Sequence, residues 1–260
     1  MHPILVELGG ITLYSFGLMM ALAFLAAFFW TLKRAKAAGE DETLYITGVC
    51  WLIFMSLLGA RLFYFVYFPQ PFLADPLGSL LSSGGLVWYG GMIAFSLTLV
   101  LFTRLNGLSV FKFSDIVVPP AALGLAIGRI GCFLAGCCYG GPCDVTLLPW
   151  AVQYPAGHET HPLWVHPAPL YATAAVLTIL PILLWVDRHK KVNGETSWWF
   201  VVLYGIARFL LEYARGDRLI WLEGMDLSAS QVISFVGVLL GVGMLWWLRR
   251  KQTGAALSAL

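Results

Sequence analysis

A chain of 260 residues that is 59% hydrophobic and 12% charged, with a mean hydropathy of +0.79, lies outside the range of soluble globular domains, which carry about 25% charged residues. Its net charge of +2 excludes the strongly basic surface that nucleic-acid binding demands. The chain reads as an integral membrane protein.

A spanning helix needs about 20 apolar residues. Such segments occur at Ile11–Leu32, Leu44–Phe68, Leu86–Thr103, Ile116–Leu134, Pro169–Val186, Ser197–Tyr213 and Ser228–Leu248. The expected fold class is all-α, a polytopic membrane protein with about seven transmembrane helices in one integral membrane domain, residues 1–260. The first segment lacks a basic flank before its apolar run and is expected to remain as a helix rather than to be cleaved. Two long connections, around 69–85 and 135–168, are expected to be interfacial; Trp150, Tyr154, Trp164 and several prolines mark the second. Lys33, Arg34, Lys36, Arg104, Lys112, Arg188, Lys190, Lys191, Arg249, Arg250 and Lys251 all fall on one side of such a bundle, against Arg215 and Arg218 on the other. The positive-inside rule then puts the N-terminus outside and the C-terminus in the cytoplasm.

Arg61, Arg129 and Arg208 lie inside the apolar segments, where an ionisable side chain is costly and points to function. Converging guanidinium groups suit a phosphate, whose oxygens accept their planar fork bidentately. Two of them also have a specific structural reading: Arg208 and Glu212, spaced i to i+4, neutralise each other, and Arg61 snorkels. Arg215 and Asp217 fall at the water boundary, where they are either solvated or close the site. The glycine pairs of "SSGGLVWYGGMI", together with Gly128, Gly131 and Gly136, either admit close backbone approach at a site or pack helices.

Four of the five cysteines fall in "GRIGCFLAGCCYGGPC", residues 128–143. The spacing C-x4-C-C-x4-C lacks the paired C-x2-C pattern of a zinc site, even with His158, His161 and His166 following. The readings left open are incidental filling, a disulfide of Cys143 with Cys137 or Cys138, a metal site, and a nucleophilic Cys132. Cys50, in mid-span, reads as a small packing residue.

In order along the chain, "GLVWYGGMI", "GRIGCFLAGCCYG", "WVHPAPLY" and "YGIARFLLEYARGD" resemble the bacterial phosphatidylglycerol:prolipoprotein diacylglyceryl transferases over nearly the whole length. The resemblance implies a multi-pass enzyme of the bacterial cytoplasmic (inner) membrane. Such an enzyme moves the diacylglyceryl group of phosphatidylglycerol onto the lipobox cysteine thiol of a prolipoprotein, releasing glycerol phosphate. Its partners would be phosphatidylglycerol, prolipoprotein signal peptides and membrane lipids, with no nucleic acid, no cofactor and no metal. Arg129, Arg208 and Tyr89 would be catalytic. Gly90, Gly91, Gly128, Cys132, Gly140, His166, Tyr204 and Glu212 would bind substrate, in a cavity walled by spans two, three, four and six.

The chain departs from the family where proton transfer is concerned. The motif His before the glycine pair is Tyr89, whose ordinary pKa near 10 makes it a poor base at neutral pH; the motif Asn is Cys132, and a first-span tyrosine is Phe16. His166 matches the family's His-Pro motif and is a candidate to assist. The alternatives are a paralogue that transfers a phospholipid-derived group to another acceptor, a membrane thiol-redox or metal protein using Cys132, Cys137, Cys138 and Cys143, and a lipid-binding protein without turnover.

Overall fold

The computed structural model describes residues 3–8, 11–81, 85, 87–216, 220–222 and 226–257. Its helices are α1 (Ser15–Ala37), α2 (Glu42–Tyr67), the short α3 (Pro69–Ala74) and α4 (Pro76–Leu81), α5 (Trp88–Leu105), α6 (Val110–Ala135), α7 (Ala168–His189), α8 (Glu195–Leu211) and α9 (Ala229–Leu257). Each of the seven apolar segments is occupied largely by one helix. Among the described residues α1, α2, α6, α7 and α9 are long and apolar enough to cross a membrane, and Tyr89–Leu105 is a shorter apolar helix. The chain is a predominantly helical, polytopic membrane protein. Its outward faces carry the bulky apolar side chains, Leu97, Leu101, Trp185 and Leu239 among them, that lipid rather than water accommodates.

The all-α expectation needs one addition, since among the described residues three antiparallel two-stranded pairs occur outside the helices: β1 (Ile4–Leu8) with β2 (Ile11–Tyr14), β3 (Val152–Gln153) with β4 (Trp164–Val165), and β5 (Ile220–Leu222) with β6 (Leu227–Ser228). The first explains why α1 starts at Ser15 rather than Ile11. Residues 11–14 pair with the preceding strand, and Ser15 closes the hairpin by donating from its backbone N and its Oγ to the Pro3 carbonyl at 2.9 and 3.0 Å.

The chain divides into two compact units, Thr31–Ile116 and the combination of Met1–Trp30 with Val117–Leu260. In the first, α2 and α5 touch backbone to backbone. A Cβ built on Gly90 would lie 2.4 Å from the Gly59 carbonyl oxygen and 2.3 Å from Phe63 Cβ, and one on Gly59 would lie 2.3 Å from Ala94 Cβ. Gly91 faces the Ser56 carbonyl. Helices in lipid gain little from hiding apolar surface, so small residues that permit close van der Waals contact do the holding. Gly90 and Gly91, expected at the substrate site, here serve this contact.

Arg61 does not snorkel. It is buried, and its two terminal nitrogens donate to the carbonyls of Ser79 and Gly85, lacing the 69–85 connection onto α2. Arg34, expected as a topological charge, also has a structural task. Pro119 and Pro120 sit inside α6 and lack the N–H groups that would reach the carbonyls of Asp115 and Ile116. Arg34 donates to those two oxygens, Nη2 to Asp115 at 3.1 Å and Nε to Ile116 at 3.0 Å. One fork thus replaces two hydrogen bonds that the prolines delete.

In the second unit α6 packs on α1 through Gly124, Gly128 and Gly131, which face Ala23, Met20 and Met19. Its next face joins α7 and α8 in a core of Ala122, Ala126, Val176, Ile179 and Leu183, against which Phe200 and Tyr204 rest. Gly205 and Gly241 let α8 meet α9, and buried Glu195 binds Arg249 at 3.2 Å. The start of α9 is fixed by a reciprocal cap in which Ser228 N donates to Gln231 Oε1 at 3.0 Å and Gln231 N to Ser228 Oγ at 3.3 Å, the S-x-x-Q arrangement. Cys50, expected to pack, is exposed on α2.

Replacing Arg34 by leucine orphans two carbonyls and is expected to cost about 2 kcal/mol or more, read as a lower thermal midpoint in detergent; lysine, a point donor without the fork, restores only part. Gly90→Ala forces α2 from α5 and is expected to destabilise by about 3 kcal/mol, whereas Gly17→Ala, with nothing within 4 Å, leaves the midpoint in place.

Candidate functional site

The C-terminal end of α6, the start of α7 and the C-terminal end of α8 enclose a small cavity. Its polar wall is Arg129, Cys138, Tyr204, Arg208 and Arg215, and its apolar wall includes Ala168, Pro169 and Leu211. The cavity measures about 20 Å³, room for about one water molecule. Three guanidinium groups share one hole, and α7 adds the positive end of its dipole. An anion is the ligand this charge asks for.

The three arginines are compensated differently. Arg208 gives Nη1 to the buried carboxylate of Glu212 and Nη2 to Ser230 Oγ at 2.9 Å, so it reaches the cavity oriented and half neutralised. Arg215 follows the 3-10 turn Glu212–Ala214 and is anchored through its backbone N to the Glu212 carbonyl at 3.2 Å. Half-buried Arg129 has no carboxylate partner among the described residues; its polar neighbours are Tyr204, Cys132 and Cys138. Tyr204 is held in place by stacking on Phe200, with ring centroids 5.4 Å apart. Among the described residues, the site therefore carries a surplus of positive charge, with Arg129 a guanidinium that no carboxylate offsets.

Beside it lies a cluster that follows from how α6 ends. Gly136, at φ +81°, takes the left-handed position that terminates a helix. Cys137 N then donates back to the Cys132 carbonyl at 3.0 Å and Gly136 N to that of Phe133 at 3.3 Å, the Schellman pattern. That geometry places the side chain one residue past the glycine against the one four residues before it, and here both are cysteines. Cys138, itself left-handed at φ +59°, turns the third sulfur inward. The Sγ atoms of Cys132, Cys137 and Cys138 lie within 4.8 Å of one another. Hydrogen bonds from Cys132 and Cys137 hold the Cys138 thiol well below the usual cysteine range, with Arg215 and Arg129 adding to the effect, while the same hydrogen bonding pushes Cys137 up. Burial, and then the sulfurs, push Tyr154 up to about 12.

All five cysteines are free thiols in the structure, so the disulfide reading of Cys143 finds no support there; its backbone N donates to the Trp164 carbonyl at 2.9 Å. The histidines are spent on the loop as well. His158 accepts from Thr160 N at 3.2 Å on Nδ1, which leaves its Nε2–H to donate to the Gly136 carbonyl at 2.8 Å, and its ring stacks on Tyr154 at 4.2 Å. His161 Nδ1 lies 3.0 Å from the Tyr154 carbonyl. His166 sits in a chain with Tyr171, Nδ1 to OH 3.2 Å, and Trp150 donates to that hydroxyl at 2.8 Å.

Gly140 ties these pieces together. Its N donates to the His166 carbonyl at 2.9 Å, Gly141 N donates to the Ala214 carbonyl at 3.0 Å, and Gly140 bridges to Arg215. A Cβ there would lie 2.4 Å from His166 Cβ and 2.6 Å from the Ala214 oxygen. Three backbone segments cross where only glycine fits.

Of the residues expected from the sequence, Arg129, Arg208 and Tyr204 line one cavity, Glu212 orients Arg208, and Cys132 stands in the adjoining thiol cluster. Gly128 contacts Met20 on α1, Gly140 and His166 are loop fasteners, and Tyr89, Gly90 and Gly91 belong to the other compact unit. Asp217 lies outside the described residues. The sequence reads Arg215 mainly as solvated, with closing the site as its other reading, and Cys138 only within the thiol-redox or metal alternative; Ser230 was not foreseen as a site residue. The glycine after "CFLA" carried the signal for Cys138, because a helix stop there folds the next residues back; nothing local flagged Ser230.

A family model described as "Prolipoprotein diacylglyceryl transferase" matches residues 3–247. Proteins named phosphatidylglycerol–prolipoprotein diacylglyceryl transferase are similar throughout. The one from Clostridium tetani is 33% identical, covering 93% of this chain and 96% of that protein; that from Bordetella bronchiseptica is 32% identical, covering 96% and 97%; that from Vibrio vulnificus is 31% identical, covering 96% and 92%. Together with the helices and the arginine cavity, these matches place the chain in the prolipoprotein diacylglyceryl transferase family.

Proposed function

We propose that this chain transfers the diacylglyceryl group of phosphatidylglycerol to the lipobox cysteine of a prolipoprotein. The observation that supports it best is Arg129, a half-buried guanidinium without a carboxylate partner among the described residues, sharing a cavity with Arg208 and Arg215. As the acceptor sulfur bonds to the terminal glycerol carbon of the diacylglyceryl group, the C–O bond to phosphate breaks. The bonding electrons stay on the phosphate, which passes from a singly to a doubly charged ester. Preorganised donors bind that developing charge more tightly than the ground state, and this difference is what accelerates the reaction.

Glu212 and Ser230 act by holding Arg208, so its fork is fixed before the lipid arrives. The cavity is narrower than a phosphodiester, and the lipid head parts the long arginine side chains as it enters. Tyr89 hydrogen-bonds the head group or the incoming thiol, at the place of the family's histidine. The long 135–168 segment is the interfacial loop that receives the signal peptide, and the enzyme works from the bacterial inner membrane as one integral domain.

Seven crossings follow from this reading, with the N-terminus outside and the C-terminus cytoplasmic. Helices α5 and α8, of 18 and 17 residues, measure roughly 26 Å at 1.5 Å per residue, close to the 30 Å hydrocarbon core, and they cross with little bilayer thinning. Reporter fusions after residues 38, 107, 192 and 252 are expected to be active in the cytoplasm and one after residue 146 outside; any exchange of sides contradicts this arrangement.

The activity test incubates purified protein with phosphatidylglycerol labelled in its acyl chains and a lipobox peptide. Label is expected on the peptide cysteine and not on a cysteine-to-serine peptide. Arg129→Ala and Arg208→Ala are each expected to lower kcat/KM by about 10²–10³-fold, and Glu212→Gln to lower it less. Wild-type turnover in Arg129→Ala, or no peptide labelling together with no rescue of a transferase-deficient strain, rejects the reading.

A further inference from the structure

The transfer chemistry leaves two things unexplained: three converging cysteines, and the source of an acceptor thiolate where the family's histidine is Tyr89. The Sγ atoms of Cys132, Cys137 and Cys138 lie within 4.8 Å of one another. A tetrahedral ion with bonds of about 2.3 Å to sulfur spaces its ligands at roughly 3.8 Å, a contraction that side-chain rotation supplies. Cys143 is not in the cluster, and both nitrogens of His158 are engaged with Gly136 and Thr160. The protein therefore offers three sulfurs, the ligand count of a catalytic rather than a structural site.

The surroundings suit a bound thiolate complex. Three thiolates on a divalent ion leave one net negative charge, and Arg129 and Arg215 both act on Cys138, Arg129 also on Cys132. The hydroxyl of Tyr154, a side chain 1% exposed, has no hydrogen-bond partner among the described residues and lies in the field of all three sulfurs. Its O–H is an unused donor of the kind that supports a metal-bound sulfur. Cys138 also lines the arginine cavity, so a ligand on these sulfurs adjoins the place where the phosphate would sit.

We propose that Cys132, Cys137 and Cys138 form a three-thiolate site for a thiophilic d10 cation, zinc, whose remaining position takes the acceptor cysteine of the transfer reaction. The cation site stands on the sulfur cluster; its use rests on the transferase reading. Coordination deprotonates the acceptor thiol, the proton passing to water and then to the departing phosphate. A sulfur lone pair forms the C–S bond, the C–O electrons leave with glycerol phosphate, and the neutral thioether, a weak ligand, departs from the metal. No electron is gained or lost. Tyr89 need not act as a base.

The test uses the full chain, purified in mild detergent under reducing, anaerobic conditions. Zinc is expected at one per chain after dialysis, with affinity falling more than about 100-fold in each of Cys132→Ser, Cys137→Ser and Cys138→Ser, while Cys50→Ser keeps it. With cobalt in place of zinc, an intense sulfur-to-metal charge-transfer band is expected, growing when a lipobox peptide is added and unchanged by its serine form. Zinc held no more tightly than by the triple serine variant, whose thermal unfolding certifies its fold, overturns the site. A cobalt spectrum indifferent to the thiol peptide, in protein that labels that peptide, overturns its use. A spectral response to the peptide without any transfer of label supports the thiol-binding centre and counts against the transferase reading instead.

Discussion

A guanidinium held away from water must find acceptors for its five N–H groups, and the chain's buried and half-buried arginines show how that demand is met. Arg34 takes the two carbonyls that consecutive prolines leave bare, Arg61 takes those of Ser79 and Gly85, and Arg208 takes Glu212 and Ser230. Arg129 differs, with a phenol and two thiols for neighbours and no carboxylate among the described residues. Structural arginines are completed by the protein. Among the described residues, Arg129 is left without a carboxylate partner, which is what makes it the candidate to receive an anion.

The helices were plain in the sequence because lipid imposes the simplest of patterns, a long apolar run, and seven runs became seven helices. Their ends were less plain. α6 starts at Val110 rather than Ile116, since Lys112, paired with Glu40, and buried Asp115 break the hydropathy without breaking the helix. α1 starts late because its apolar run begins as a hairpin strand. The short strands around 152–165 and 220–228 gave no usable signal, being fixed by pairing between segments rather than by local preference.

Of the site, the arginines were legible through their cost in a membrane and Glu212 through its i to i+4 spacing. Gly90 and Gly128 make helix contacts in the structure, and the sequence of a glycine that packs a helix does not differ from that of one that admits a ligand. The convergence of three cysteines was the part hardest to read. Counted as metal spacing, C-x4-C-C is weak; treated as a helix stop, with glycine between them, it brings the first and second sulfurs together by backbone geometry alone. Arg215 looked solvated at a helix end because the crossing at Gly140 that returns it to the cavity joins residues far apart in the chain.

That crossing makes the loop and the cavity one mechanical assembly. Gly140 is bonded on one side to His166, whose ring leads through Tyr171 to Trp150, and on the other it is bridged to Arg215. Two residues before it stands Cys138. If a polypeptide settled on the aromatic loop and moved that backbone, the displacement would carry a cation and a sulfur with it along the cavity rim, and one partner's arrival would then alter the grip on the other.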